Sequence, residues 1–410
     1  MSKKQTIIKA RVLYDGKNKQ EDKTVVVEDD KIVEVNDKNL EYDYEGFVTP
    51  AFIDAHSHIG MIREGEPADE SEGNDLLKQI LPTNNPLNSI YFDDRAFKDS
   101  VDFGVLYSCV VPGSGNLIGG EAKVIRNYAS HRGEALIKDY GYKMALGYNP
   151  RSTTGWKGKR PNTRMGVYAL LEEKLDDLLI KKEKAKLKKK KELFGLKEKF
   201  EQDKITPEQF EEHKQVIQSE YEFNFSSVEK ALFQLMQGEK TAKVHVHKED
   251  DVLYLVDLVK KYNLKVTADH TGDVFHKEIF DVLGDNDIPI VYGPLGSLAY
   301  KVELKHAYYQ NTKLLMESNA FYGLMTDHPV IQSPSLRDSL KFFLIQGMSD
   351  TDAISIITYK NAKILGIEDE YGTVEADKKA SIVVWDKNPL SLSAFPKLVM
   401  GEGKILRKKE

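Results

Sequence analysis

The sequence predicts a mixed α/β fold: a (β/α)8 barrel of the TIM type with a small composite β-sandwich domain formed by both ends of the chain. Two observations lead to this prediction. Eight apolar, strand-like segments lie between residues 48 and 327, separated by helical or turn segments, as in a sheet of parallel strands with crossover connections. Short strand patterns with tight turns occur at both ends of the chain, and the termini of a domain often lie close together.

Length and composition narrow the classes of protein. The chain has 410 residues and a formal net charge of -6, so it shows no general attraction to nucleic acid or anionic membranes. Its single cysteine, Cys109, excludes an internal disulfide framework and fits a reducing compartment. No apolar run reaches the ~18 residues of a membrane span, and no apolar leader follows the first residues. We therefore expect a cytoplasmic protein that acts on a small molecule, with homo-oligomerisation left open.

The two ends of the chain show the strand patterns of the small domain. Residues 6–14 form an apolar segment that ends at a turn, and residues 24–28 and 31–35 flank a tight turn as a hairpin. Residues 380–386 form another strand pattern, and a second hairpin is predicted around residues 401–403. These patterns assign residues 1–49 and 371–410 to the small domain and residues 50–370 to the barrel.

The first barrel strand leads into a pair of histidines. An apolar segment from Val48 ends in a polar turn that contains His56 and His58. Residues two apart on a strand point to the same face, so the two imidazoles lie side by side. Such a pair suits a first-row divalent metal, although two loop histidines without a metal remain the alternative for this segment alone.

Other predicted strands end in metal-ligand types as well. The fifth strand carries His245 and His247, the sixth ends at His270, and the eighth ends at Asp327. The carboxyl ends of parallel barrel strands meet on one face. The sequence therefore predicts a metal site on that face.

A charged helical segment near residues 169–223 interrupts the barrel pattern. It contains eight lysines between Lys181 and Lys191, which indicate either an arm for anionic partners or a solvated helical face. Acidic residues nearby favour the solvated face, so we expect no nucleic-acid binding. Thr206 with Gln209, and Ser226 with Glu229, have the spacing of capping boxes, which predicts a helical hairpin inserted between two barrel units.

The chain resembles the amidohydrolase superfamily of metal-dependent hydrolases, and within it the imidazolonepropionase-like branch. The resemblance covers nearly the whole chain outside the charged insert. The segments that carry it are residues 50–58, 112–120, 163–166, 245–247, 269–270, 326–329 and 372–385.

The resemblance implies hydrolysis of an amide or cyclic amide C–N bond, with one or two divalent ions, zinc expected, per chain. His56, His58 and Asp327 would hold one metal, and His245 and His270 would hold or face a second. His247 points the same way as His245 and could contact substrate instead. A metal activates water and polarises a carbonyl, and Asp327 would accept the proton and pass it to the leaving nitrogen. We assign catalytic roles to Asp327 and His270.

Two further residues are candidates for substrate binding, together with His247. Asn116 lies in a glycine-rich stretch, residues 113–120, which lacks the Gly-Lys-Ser/Thr of a phosphate loop and is expected to face substrate or form a tight turn. Arg164 could clamp a substrate carboxylate in a bidentate manner, or it could form a structural salt bridge.

One position departs from the family pattern. Relatives commonly show Gly-Glu-Asn-Pro at the end of the fourth strand, whereas this chain has Gly147-Tyr148-Asn149-Pro150. A glutamate could bridge two cations, but a tyrosine with a reference pKa of ~10 is a poor bridge. Either the site holds one metal, or another carboxylate serves. We predict Glu121 as that ligand, with an exposed loop acid as the alternative.

Two other functions remain open. A deaminase of a ring amidine would use the same site on the same fold. A barrel that binds metal without catalysis could act as an interaction scaffold through its helical insert.

Overall fold

The computed structural model describes residues 5–151, 160–299 and 301–408. Its strands, in chain order, are β1 Gln5–Tyr14, β2 Lys19–Glu28, β3 Lys31–Asn36, β4 Tyr44–Pro50, β5 Phe52–Ser57, β6 Val105–Val110, β7 Ile118–Arg126, β8 Leu136–Ala145, β9 Thr241–Lys248, β10 Lys265–Asp273, β11 Ile290–Tyr292, β12 Tyr322–Leu324, β13 Ile382–Trp385, β14 Pro396–Gly401 and β15 Lys404–Lys408.

The α-helices lie mainly between the central strands. They are α1 Arg95–Asp102, α2 Arg132–Ala135, α3 Arg164–Glu201, α4 Pro207–Phe223, α5 Ser227–Met236, α6 Glu249–Tyr262, α7 Lys277–Asp285, α8 Asn311–Glu317, α9 Lys341–Leu344, α10 Asp350–Ser355 and α11 Asn361–Leu365. Within the described ranges, the structure contains no helix with both the length and the apolar composition needed to cross a bilayer.

Both ends of the chain build one seven-stranded sheet, in the order β15-β14-β13-β4-β1-β2-β3. Strand β4 joins the two ends, because it pairs in parallel with β1 and antiparallel with β13. Its core combines residues from both ends, among them Ile8, Val25 and Val48 with Ile382 and Leu398. The prediction of a small β-domain formed by both termini is confirmed.

The central strands form an eight-stranded sheet, β5 to β12 in chain order, which confirms the predicted α/β barrel. One strand differs from the predicted parallel pattern. β7 is antiparallel to both β6 and β8, while the other neighbouring pairs are parallel. The connections on either side of β7 are too short for a long crossover helix, and parallel neighbours need such a crossover.

The two edge strands of this sheet, β5 and β12, approach each other and nearly close the barrel. The amide of Asp327 donates to the His56 carbonyl at 3.1 Å. The side chain of Asn361 donates to the Ile53 carbonyl at 2.6 Å and to the Leu324 carbonyl at 2.9 Å. The first and last strands therefore present their carboxyl ends to the same space.

The apolar stretch that begins at Val48 is divided between the two sheets. β4 ends at Pro50 in the terminal sheet, and β5 begins at Phe52 in the barrel. At the change of sheet, the amide of Ala51 donates to the Ser381 carbonyl at 2.9 Å, and the amide of Phe52 donates to the Gly104 carbonyl at 2.8 Å. The strand that leads to His56 is thus anchored to both sheets.

Residues 169–223 comprise most of helix α3, a short turn and helix α4, and the two helices contact each other. The first half of α3 packs its buried residues Val167, Leu171 and Leu175 into the main core, whereas Lys188, Lys190 and Lys191 are exposed. The capping boxes at the starts of α4 and α5 are confirmed, with the side-chain and backbone bonds of both present. They define where each helix begins.

Candidate metal centre

Two histidines and an aspartate form a first group of ligand atoms at the carboxyl ends of β5 and β12. His58 Nε2 lies 3.1 Å from Asp327 Oδ1, and His56 Nε2 lies 3.5 Å from the same oxygen. The ligand atoms of the three residues lie within 4.8 Å of one another. The chain thus brings together the three residues predicted to hold one metal.

Three histidines form a second group beside the first. His245 and His247 come from β9, and His270 comes from the neighbouring strand β10. Their ligand atoms also lie within 4.8 Å of one another, and the ring of His270 is 5.1 Å from that of His56. Both groups therefore border the same space.

Four of these imidazoles are neutral. Burial lowers the pKa of His56, His245 and His270 well below the usual value, and it lowers the pKa of His247 to about 3. A neutral imidazole keeps a lone pair on one ring nitrogen, which is the form that binds a metal.

Hydrogen bonds fix which nitrogen carries that lone pair in three of the rings. His58 Nδ1 donates to the Val111 carbonyl at 2.7 Å, and His270 Nδ1 donates to the Gly293 carbonyl at 3.1 Å. His56 Nδ1 lies 2.6 Å from a carboxylate oxygen of Asp269. Because these oxygens only accept hydrogen bonds, Nδ1 carries the proton in each ring and Nε2 presents its lone pair to the shared space. Metal-binding histidines are usually fixed in this way by an acceptor on the other nitrogen.

Asp327 is ionised. Burial would raise its pKa, but the electrostatic influence of the nearby His58, His56 and Lys143 outweighs burial and lowers the pKa far below the usual range. Asp327 has φ 51° and His270 has φ 79°, and a left-handed backbone at a residue other than glycine costs ~1 to 3 kcal/mol. The tertiary structure therefore holds both residues against their local preference.

Two buried lysines belong to the site and were not among the predicted residues. Lys143 Nζ lies 3.1 Å from His56 Nε2, and Lys243 Nζ lies 3.1 Å from Asp269 Oδ2. Both side chains are fully buried, and burial lowers the pKa of Lys143 to about 8. The available signal was periodicity, because Lys243 lies two residues before His245 and so points to the same face.

The expectation that Glu121 is a metal ligand is wrong. In the β7–β8 register, Gly120 pairs with Lys143 and Glu121 pairs with Tyr142. Successive residues point to opposite faces of a sheet, so Glu121 lies on the face opposite to Lys143. Its carboxylate forms an ion pair with Lys123 at 2.7 Å and joins neither ligand group.

The two other predicted substrate residues are engaged within the protein. Asn116 donates to the carbonyls of Asp75 and Lys78, both at 2.7 Å, and so fixes that loop. Arg164 forms an ion pair with the buried carboxylate of Asp251, which corresponds to the structural alternative. Among the predicted substrate residues, His247 is the one that borders the ligand groups and an adjoining cavity.

That cavity has a volume of about 300 Å³ and opens beside His247 and Asp327. Its walls are largely aromatic or apolar, and include Tyr292, Leu295, Tyr308 and Phe342. An apolar cavity with a few convergent polar groups is the usual form of a small-molecule site.

Comparison with known proteins places these features in a family context. The sequence profile described as "Amidohydrolase family" matches residues 237–405. The curated protein "Amidohydrolase tasK" of Hapsidospora irregularis is 24% identical over 389 residues, which are 90% of this chain and 37% of that protein. The chain therefore spans well under half the length of that relative.

Solved structures give the broader match. The crystal structure of an amidohydrolase from Thermotoga maritima MSB8 has a TM-score of 0.83 and 25% sequence identity, and the match covers 98% of this chain and 100% of that chain. The ochratoxinase of A. niger has a TM-score of 0.57 at 12% identity, covering 100% of this chain and 97% of that chain, and shows similarity of fold alone.

Proposed function

We propose that the chain, which matches the amidohydrolase family model over residues 237–405, is a member of the amidohydrolase superfamily. It would hydrolyse a C–N bond of a small amide or cyclic amide with the help of divalent metal held by the two ligand groups. The observation that carries the proposal is the convergence of five histidines and Asp327 at the carboxyl ends of four barrel strands. Zinc suits these nitrogen and carboxylate ligands, so one or two zinc ions per chain are proposed.

The chemistry of the donor set fits a cation. Among the described residues, His270 Nε2 and the Nδ1 atoms of His245 and His247 are buried without a hydrogen-bond partner. Leaving a buried polar atom unpaired costs ~1 to 3 kcal/mol, so several such atoms facing one space indicate a ligand there. His56, His58 and Asp327 would hold one ion, and His245, His247 and His270 would hold the second. A bound metal would polarise the substrate carbonyl and lower the pKa of water.

Asp327 supplies the proton transfer. Its carboxylate is ionised and lies 3.1 Å from His58 Nε2, as two ligands of one cation would, and its backbone N–H donates to the His56 carbonyl. A carboxylate in this position can accept a proton from the attacking water and then donate it to the leaving nitrogen. His270 presents its neutral Nε2 to the same space, where it would help to hold the second metal ion.

Lys143 would supply the anion that a glutamate provides in relatives. Two cations bound mainly by neutral imidazoles need negative charge between them, and neither Tyr148 nor Glu121 provides it. The Lys143 amine lies beside His56, and reaction of a neutral amine with carbon dioxide forms an N–C bond and releases one proton, giving a carbamate. The carbamate has the carboxylate oxygens that bind such cations.

The cavity beside His247 would receive the substrate. A dry cavity of about 150 Å³ can hold a benzene ring, so a cavity of about 300 Å³ has room for one apolar or aromatic substituent of the amide. Tyr292, Leu295 and Phe342 would bury that substituent, while the C–N bond lies toward Asp327.

The test is a substrate screen of the zinc-loaded protein against cyclic amides, N-acyl amino acids and dipeptides. We expect turnover of at least one class, and loss of turnover after removal of the metal with a chelator. Release of ammonia from a ring amidine instead would indicate the deaminase. Absence of bound metal after reconstitution would overturn the proposal.

A further inference from the structure

Glu303 brings a carboxylate to the chain segment in which Tyr148 replaces the family glutamate. It lies in the 3₁₀ helix Val302–Leu304, which follows β11, and is only 2% exposed. Its Oε2 accepts the backbone N–H of Tyr148 at 3.0 Å. The chain segment that lacks a carboxylate of its own therefore binds one from another part of the barrel.

The other oxygen of Glu303 faces the second ligand group. Oε1 lies 3.5 Å from His245 Nε2 and 4.0 Å from His247 Nε2. It also lies 3.6 Å from Lys301 Nζ. Although Glu303 is buried, Oε1 has no hydrogen bond within normal geometry among the described residues, so it is placed to accept one.

His245 and His247 lack the partners that fix the other three rings. His56, His58 and His270 each have an oxygen acceptor on Nδ1. The Nδ1 atoms of His245 and His247 are buried and have no partner in the described part of the chain. For these two rings, the nearby carboxylate lies on the Nε2 side.

We propose that Glu303 is a positioning residue that accepts the Nε2–H of His245, so that Nδ1 of this ring carries the lone pair for the second metal. The proposal rests on the metal-dependent function above. A carboxylate that accepts the other N–H of a metal-binding histidine raises the basicity of the ligating nitrogen and fixes the tautomer of the ring. The negative charge of Glu303 would also offset part of the charge of a cation bound by neutral imidazoles.

One competing contact exists at the same nitrogen. Asn149 Nδ2 lies 3.4 Å from His245 Nε2, and as a donor it would favour the opposite tautomer. Its shorter contact is with Ser114 Oγ at 2.6 Å, which occupies the amide. Hydrogen bonds to a charged acceptor are the stronger kind, so Glu303 is the partner we assign.

Metal binding by Glu303→Gln tests the proposal. The variant keeps the size of the side chain but removes its charge. Wild type should bind two zinc ions, and the variant should bind one with wild-type affinity and the other about 10- to 100-fold more weakly. Elemental analysis gives the stoichiometry, and competition with a chromogenic chelator gives both affinities. Glu303→Asp should recover part of the lost affinity.

Glu249→Gln is the matched control, because Glu249 also contacts a histidine ring, that of His276 at 2.9 Å, but outside the site. Its zinc affinities should equal those of wild type. The inference would be overturned if folded Glu303→Gln bound zinc with unchanged affinities, or if only its KM for cationic substrates changed. A wild type that binds a single zinc ion would also overturn it. A wild type that binds no zinc would overturn the proposed function itself.

A measurement on the wild type reports the tautomer directly, and a variant serves only to assign the resonances. Long-range ¹H–¹⁵N spectra of histidine-labelled, metal-free protein report the tautomer of each ring. The resonances absent from His245→Gln belong to His245. They should show the proton on Nε2, and a proton on Nδ1 would contradict the role assigned to Glu303.

Discussion

Substitution of Asp327 should abolish most turnover while the protein remains folded. Asp327→Asn keeps the shape and an oxygen but removes the proton acceptor. General acid–base catalysis contributes about 10²- to 10⁴-fold, so kcat should fall by that factor for any substrate found in the screen. Circular dichroism and urea denaturation should show a folded variant, because the backbone bond from residue 327 to the His56 carbonyl remains. Near-normal turnover would reassign the base.

Lys143 gives a prediction that depends on carbon dioxide. If its amine becomes a carbamate, bicarbonate present during zinc reconstitution should raise the zinc content of wild type. Lys143→Met should bind less zinc and should not respond to bicarbonate. Lys360→Met is the control, since Lys360 is half-buried but lies in the helical segment Ile356–Lys360 outside the site. A bicarbonate effect that persists in Lys143→Met would exclude the carbamate.

At the residue scale, the histidines were predicted, whereas the lysines were missed although periodicity places Lys243 on the same face as His245. His56, His58, His245, His247 and His270 follow apolar strands, and parallel strands bring such positions to one face. A lysine within a strand, such as Lys143, ordinarily indicates an exposed position. Lys143 is buried instead because its side chain points into the barrel interior.

The predictions for the two glutamates were wrong in different ways: Glu121 was predicted as a ligand and is not one, and Glu303 was not predicted at all. Glu121 was placed by its distance along the chain from the glycine-rich stretch, but the register of β7 turns it to the opposite face. Glu303 lies 58 residues after His245 in sequence, in a short 3₁₀ helix with no local pattern that indicates function. Its proposed role depends on tertiary contacts with His245 and with the backbone of Tyr148, which no single-sequence pattern encodes.

At the element scale, substitutions in the two halves of helix α3 should affect stability differently. Replacement of Lys188, Lys189, Lys190 and Lys191 by Gln should leave stability and turnover nearly unchanged, because these side chains lie on the outer part of α3 and surface substitutions typically change stability by less than ~0.5 kcal/mol. Leu171→Ala should cost about 2 to 5 kcal/mol, because Leu171 is fully buried. Urea denaturation measures both.

The same variant tests the alternative role of the lysines. Heparin affinity of wild type and of the four-lysine variant should be equally weak if this part of α3 is a solvated face. A large loss of heparin affinity in the variant would instead support an arm for anionic partners.

The elements themselves were predicted unevenly. Capping boxes at Thr206 and Ser226 located the starts of two helices, since their signal is contained in four consecutive residues. The division of the stretch from Val48 to His58 between two sheets was not predicted, because strand periodicity is the same on both sides of Ala51. The antiparallel direction of β7 was also missed, because direction depends on the connections and not on the strand.

At the scale of the whole molecule, the terminal sheet and the barrel share a core. Trp385 of β13 stacks on Phe52 of β5 with ring centroids 5.6 Å apart, and its Nε1–H donates to Thr49 Oγ1 at 3.0 Å. The Tyr107 hydroxyl of β6 contacts Ser381 Oγ at 2.5 Å. The terminal sheet thus supports the strand that presents His56, and the two parts should unfold together.

Trp385→Ala tests this coupling. Loss of a fully buried tryptophan costs about 3 to 5 kcal/mol, and Trp385 is 0% exposed. We expect one cooperative urea transition at a lower midpoint, together with weaker zinc binding, because the cavity left beside Phe52 loosens β5 and the histidines after it. Leu392→Ala, at an 89% exposed position of the same terminal region, should match wild type in both measurements. An early separate transition in Trp385→Ala, with zinc affinity intact, would show instead that the terminal sheet unfolds without disturbing the metal centre.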